Sequence, residues 1–175
     1  SIATGVLAFV FPFLPRHLSL IGAVTIGIPS FFLALAPGGE RFRPGFVRRV
    51  LRFSIPAGVL AAIATLTSYA MALEVAGVTQ AQARTAAVLT LTWIGFAVLT
   101  IVAAPLNRMR LALIWALAAG FVAVLAIPAT RAFFAIDMPP PVVSLAGIGI
   151  AAIVWSFARL FVPEDRPMGR RARRS

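Results

Sequence analysis

Apolar residues fall into six runs, at 1–13, 18–36, 54–73, 85–104, 111–127 and 142–162, each closed by a charged residue or proline. Within a run the apolar residues cover every side of a helix instead of one stripe, which marks a helix surrounded by lipid or by other helices. A hydrocarbon core of about 30 Å takes roughly 20 residues of helix, so five of the runs predict membrane spans. The first run is too short and reads as the end of a helix. The expectation is an all-α, polytopic transmembrane helix bundle, the end of one helix plus five spans, and a basic tail at 163–175. On the same reading, the chain starts inside a helix and is a C-terminal piece of a longer product.

The second run differs from the others. Between Leu20 and Pro37 it carries Gly27 and Pro29 in mid-span. A proline there removes one amide donor and clashes with the preceding turn, and backbone freed in this way within lipid needs protein or a water-lined cavity beside it. Broken helices with such exposed carbonyls commonly form ion sites near the midplane. Thr25 adds a hydroxyl just ahead of the break. Two readings stand: a kink that only shapes packing, with Thr25 bonded to the carbonyl of Ile21, or an unwound segment between Thr25 and Pro29 whose carbonyls line a pathway.

Around this helix the remaining signals concern packing. Gly58 with Ala62, Ala116 with Gly120 and Gly147 with Ala151 are small residues four apart, a spacing that lets a neighbouring backbone approach. Pro56 is expected in the first turn of its span, after a stretch over 46–53 that reads either as a short interfacial helix or as a cytoplasmic loop whose arginine cluster sets topology, with some helix in it. Tyr69 is expected at the interface. The threonines at 85, 90, 92 and 100 are expected to bond their own upstream carbonyls. His17 is expected to face water in a tight turn with Arg16, and the stretch from Pro128 to Pro141, with its three closing prolines, is read as a link.

Composition sharpens the class. Hydrophobic residues make up 61% of the chain and charged ones 12%, about half the charged share of a soluble domain. All sixteen basic residues are arginine, and the net charge is +11. Because the arginines sit at the ends of apolar runs, they set topology and do not form a nucleic-acid surface. One side of the bundle holds Arg16, Arg84 and Arg131, while all the others fall on the opposite side. The positive-inside bias then places the loop of the 40s, the 105–110 turn and the C-terminus in the cytoplasm, as in a multi-pass protein of the plasma membrane. Glu40, Glu74, Asp137, Glu164 and Asp165 all lie in links or the tail. No cysteine is present, and neither a phosphate-cradling glycine loop nor a metal-ligand cluster occurs.

The segment from Pro12 through Pro15, Arg16 and His17 to Gly22-Ala-Val-Thr25-Ile26-Gly27-Ile-Pro29 resembles the fifth-to-sixth membrane-helix region of P-type cation-transporting ATPases. That family shows an Asn-x-x-Thr-Asp-Gly-x-Pro core followed by a proline at the helix end. Thr25, Gly27, Pro29 and Pro37 match, whereas Gly22 replaces the Asn and Ile26 the Asp. The Ile-Gly-Ile-Pro core is similar to a divergent, arginine-rich actinobacterial branch. The resemblance implies the C-terminal membrane domain of an ATP-driven cation pump, with Gly22, Thr25, Ile26, Gly27 and Pro29 as pathway candidates. It also implies ATP and Mg2+ for the intact protein, a transported cation such as calcium, and the bilayer and N-terminal parts of the same protein as partners. The Asp-Lys-Thr-Gly-Thr phosphorylation motif is absent, so this chain alone is not expected to be catalytic. The alternatives are a small self-contained membrane protein, acting as a permease subunit or assembly partner, and a purely structural bundle.

Overall fold

The structure, a computed structural model, describes residues 12–35, 46–103 and 107–160. Every regular element among them is helical. The expected partial helix at 1–13 lies outside the described residues except for its last two positions. Most of the 40s loop and the basic tail lie outside them as well.

Helix α1 (Pro15–Gly22) leads through a π-helical turn (Ala23–Gly27) into α2 (Ile28–Leu35). Pro15 begins α1 in the first turn, where its missing N–H is not needed, so the helix starts three residues before the expected Leu18. Of the two readings of this stretch, the unwound segment does not form: the helix runs on through a widened turn. Gly22 and Ile28 flank the turn with ordinary α-helical angles, and the Ile28 N–H reaches back five residues to the carbonyl of Ala23. The physical reason is Pro29. Its ring excludes the carbonyl four residues back, and one extra residue in the turn makes room without breaking the helix.

Helix α3 (Phe46–Glu74) is continuous through Pro56. The stretch over 46–53 and the following span are therefore one element, and Pro56 sits in its interior. Helix α4 (Gln80–Val102) starts five residues early because Thr79 and Gln82 form a reciprocal cap: Gln82 N–H to Thr79 Oγ1 at 3.2 Å, and Thr79 N–H to Gln82 Oε1 at 3.1 Å. Helix α5 (Arg108–Ala126) is capped by Asn107, whose Oδ1 accepts from the Arg110 N–H at 2.8 Å. The 128–141 stretch holds a helix of its own, α6 (Pro128–Phe134), with Pro128 in its first turn. It ends with Ala135 in the left-handed region at φ 51°, where the Ile136 N–H closes onto the Arg131 carbonyl at 2.8 Å. Helix α7 (Pro141–Leu160) is the last.

Among the described residues four helices are long and apolar enough to cross a membrane: Leu51–Glu74 within α3, then α4, α5 and most of α7. The broken helix α1–π–α2 is the fifth apolar element. Helices α3, α4 and α7 form the central triad. At one end Tyr69, Ala72, Ala83, Ala86, Ala87 and Val143 meet, the alanines allowing close approach. Tyr69 is 1% exposed, so it anchors this seam instead of the interface. Midway, Ser68 and Thr90 share a hydrogen bond of 2.8 Å, and Gly147 of α7 lies directly on it. Thr85, Thr92 and Thr100 do bond upstream carbonyls; Thr90 does not, because Ser68 offers a partner across the seam. Of the three small-residue pairs, only Gly147 with Ala151 is buried.

The broken helix and α5 pack on the other side of α4. Leu20 and Val24 join Leu89, Phe96, Leu99, Leu117 and Phe121 in one core, with Trp93, Phe96 and Phe121 in tilted and edge-on ring contacts of 6.0–6.5 Å.

Candidate functional site

The π-helical turn lies over a cleft of about 590 Å³ between the broken helix, α3 and α4. Ile21, Thr25, Ile26, Pro29 and Ser30 line it from the broken helix, Ser54, Ala57, Gly58 and Ala61 from α3, and Gly95 and Leu99 among others from α4. Gly58 is thus explained: it faces the cleft, and nothing within 4 Å would meet a Cβ there.

Thr25 sets the spacing between the broken helix and α4. A Cβ on Gly95 would lie 2.5 Å from Thr25 Cγ2 and 2.9 Å from its Cβ, so the glycine is what allows the approach. The Thr25 hydroxyl donates to the Ile21 carbonyl at 2.7 Å, and Ser30 donates to the carbonyls of Ile26 at 2.6 Å and Gly27 at 3.0 Å. Each hydroxyl spends its hydrogen on the backbone and keeps oxygen lone pairs. Pro29 offers no N–H, so the carbonyl it would otherwise bond is left to other donors.

The five sequence candidates do not converge on one point. Thr25 is partly buried against α4 and Pro29 is fully buried. Ile26 is 67% exposed at the rim of the cleft, with Gly27 exposed beside it. Gly22 is half-buried with open space where a side chain would stand. Gly95, Ser30 and Ser54 complete the cleft and were not singled out from the sequence. Gly95 had a legible signal, a glycine inside an otherwise unbroken apolar helix. Chemically the cleft offers neutral oxygens only. Among the described residues no group of three His, Cys, Asp or Glu side chains could hold a metal. A calcium-sized ion takes six to eight oxygens, usually with carboxylates, which these residues do not supply by themselves.

A second polar cluster lies at the end of the bundle where α1 begins. His17 is 1% exposed, which corrects the expectation that it faces water. Its Nδ1 accepts the Leu14 N–H at 3.3 Å, capping α1, and its Nε2 lies 3.4 Å from the Ala135 carbonyl. Those partners call for a neutral ring with the proton on Nε2. Burial pushes its pKa below the ordinary 6.5 against the raising pull of the Ala135 and Phe134 carbonyls, and Arg16 and Arg84 add to the lowering. Arg16 also donates to the Phe133 carbonyl at 3.2 Å, the Asp137 N–H to Thr85 Oγ1 at 3.0 Å, and Gln82 to the Met138 carbonyl at 3.3 Å. A lone histidine next to Arg16 in a proline-bounded turn read as solvated because the partner that buries it, Ala135, is 118 residues away.

Compared with known proteins, the chain is 35% identical over 170 residues to "Calcium-transporting ATPase CtpE" of Mycolicibacterium smegmatis, covering 91% of this chain and 22% of that protein. Proteins of the same name from Mycobacterium bovis and Mycobacterium tuberculosis are 40% and 39% identical over 130 residues, covering 73% of this chain and 16% of each. The chain therefore spans about a fifth of the length of the curated relatives it matches. No family model matches it, and no solved structure does. Its apolar helices and these relatives together make it a multi-pass, all-helical membrane segment homologous to the P-type calcium-transporting ATPases.

Proposed function

We propose that this chain forms one wall of the cation pathway of an ATP-driven P-type pump, together with the supporting helices behind it. The observation that carries the reading is the π-helical turn at Ala23–Gly27, held open by Pro29 and bordering a cleft between three helices. A bulged turn places neutral carbonyl and hydroxyl oxygens at membrane depth, where an ion can exchange its water for them. The relatives' printed name supports a divalent cation such as calcium as the cargo. Carboxylates to offset its charge would come from helices elsewhere in the protein, entering the cleft from the side where Gly58 leaves room. ATP and Mg2+ would act on other parts of the protein, since the described residues offer no acidic cluster for Mg2+ and the sequence no phosphate loop. Phosphorylation there would switch these helices between inward- and outward-facing arrangements. The protein would sit in the plasma membrane with its C-terminus in the cytoplasm, as the arginine asymmetry argues.

The test is Thr25→Val in the intact protein, which keeps the shape and removes the hydroxyl, paired with Pro29→Ala, which lets the turn relax to an α-helix. The expected result is a weaker apparent affinity for the cation in ATPase assays with either variant. An unchanged cation dependence in both would make the turn a packing device.

A further inference from the structure

On the opposite face of α4, a groove of about 330 Å³ runs between α4 and α7. The two helices are parallel there, since Thr85 meets Asp137, Thr90 meets Gly147 and Thr100 meets Trp155. Ala97, Ala151 and Ala152 make the depression, with Trp93 along one wall. It runs from Ile148 to Trp155 along α7, roughly 10 Å at the helical rise. One end is built differently from the rest. Trp155 Nε1 donates to Thr100 Oγ1 at 3.4 Å, which fixes the indole, and the Arg159 guanidinium lies 3.7 Å over its ring. The described carboxylates, Glu74 and Asp137, lie at the opposite end of the bundle, beside the α3–α4 turn and the start of α7. Arg159 is exposed, and stacking on the indole leaves its edge donors directed away from the ring.

We propose that this groove holds an anionic phospholipid of the leaflet at the Arg159 end, an acyl chain lying over the alanines and the phosphate on Arg159. The chemistry fits at both ends. An apolar channel flanked by tryptophan takes a methylene chain, and an indole near a helix end belongs at the headgroup level. A guanidinium preoriented by stacking presents a planar fork that suits phosphate oxygens, and the anionic lipid supplies a countercharge that the described residues around it lack.

The test uses the intact protein in nanodiscs of equal phosphatidylglycerol and phosphatidylcholine, with retained lipids counted by native mass spectrometry. The wild type is expected to retain phosphatidylglycerol in preference. Arg159→Gln is expected to lower that preference about fivefold, the worth of one basic side chain at an anionic surface, while a lipid is still retained. Ala152→Phe, on the exposed side of α7, fills the groove and is expected to lose the retained lipid of either kind with melting unchanged in pure phosphatidylcholine. Equal retention of the two lipids by the wild type would overturn the proposal, as would phosphatidylglycerol counts that neither substitution moves.

Discussion

Thr25 seats on the bare α-carbon of Gly95, so closely that a single added methyl group would lie 2.5 Å from the Thr25 Cγ2. The contact fixes how near the broken helix stands to α4, and with it the width of the cleft. Gly95→Ala is expected to destabilise the protein by about 1–3 kcal/mol, the usual cost of overpacking. Adding Thr25→Ala should return part of that loss, because it removes the 2.5 Å contact with Cγ2 while the 2.9 Å contact with the Thr25 Cβ stays. Thermal unfolding of the two variants in detergent checks both, and a Gly95→Ala protein as stable as wild type would refute the contact.

The Ser68–Thr90–Gly147 seam separates hydrogen bonding from packing. Thr90→Val preserves shape and removes only the 2.8 Å bond to Ser68. Hydrogen bonds between membrane helices average about 0.6 kcal/mol, so a small loss is expected. Gly147→Val drives a side chain into the Thr90 hydroxyl, 2.5 Å from where its Cβ would stand, and should cost several times more. If the order is reversed in denaturant or thermal unfolding, the seam is held by its polar pair and not by proximity.

His17 makes stability depend on pH. Its folded-state pKa lies below the unfolded 6.5, chiefly through desolvation. Above 6.5 the ring is neutral in both states and the cap is intact. As pH falls below 6.5 the unfolded chain takes up a proton that the folded one resists, so stability drops on acidification. His17→Asn keeps an acceptor for the Leu14 N–H without titrating, and should flatten this acid limb. His17→Leu should flatten it too, but lose roughly 1 kcal/mol at every pH with the cap. Melting temperatures from about pH 7.5 down to about pH 5.5, across the histidine range, check both.

Hydropathy alone made the helical class and the approximate positions of the described apolar helices legible, because a lipid-facing helix must be apolar on every side. Their ends were less so. Thr79 with Gln82 and Asn107 with Arg110 are caps readable in principle, yet α4 was started at Thr85 because its first turn is polar. Pro29 signalled a disturbance correctly, while its form depended on whether the chain would rather unwind or widen. The π turn keeps nearly all backbone bonds, which lipid surroundings favour. What the sequence hid was long-range: Gly95 under Thr25, Ala135 beside His17, and the helix at Pro128–Phe134, whose brevity and proline start made it look like a link.

The ends of the bundle predict its orientation. Arg16 bonds the Phe133 carbonyl, Arg84 stands within electrostatic reach of His17, and Arg131 caps the same corner through its carbonyl. Arg110 reaches the Ala103 carbonyl at 3.0 Å at the other end, where Arg159 stacks on Trp155. Among the described residues, three arginines thus gather at the Gly77–Asp137 end, and Arg52, Arg108, Arg110 and Arg159 lie at the Asn107 end, where the others are expected from the sequence too. The positive-inside bias places the richer end in the cytoplasm. This stretch contains no cysteine, so a single introduced thiol reports its own position. Gly77→Cys sits in a turn at φ 82°, outside the helices, and a cysteine at Met138 lies in the next link on the same side. Both should react with a membrane-impermeant maleimide added to intact cells. Asn107→Cys should react only after the cells are opened, at a cost of about 1 kcal/mol for the lost cap. Labelling of Asn107→Cys from outside, with the other two protected, would invert the orientation and put the arginine-rich end in the external leaflet. Labelling of Gly77→Cys and Asn107→Cys from the same side would remove α4 from the set of spans altogether.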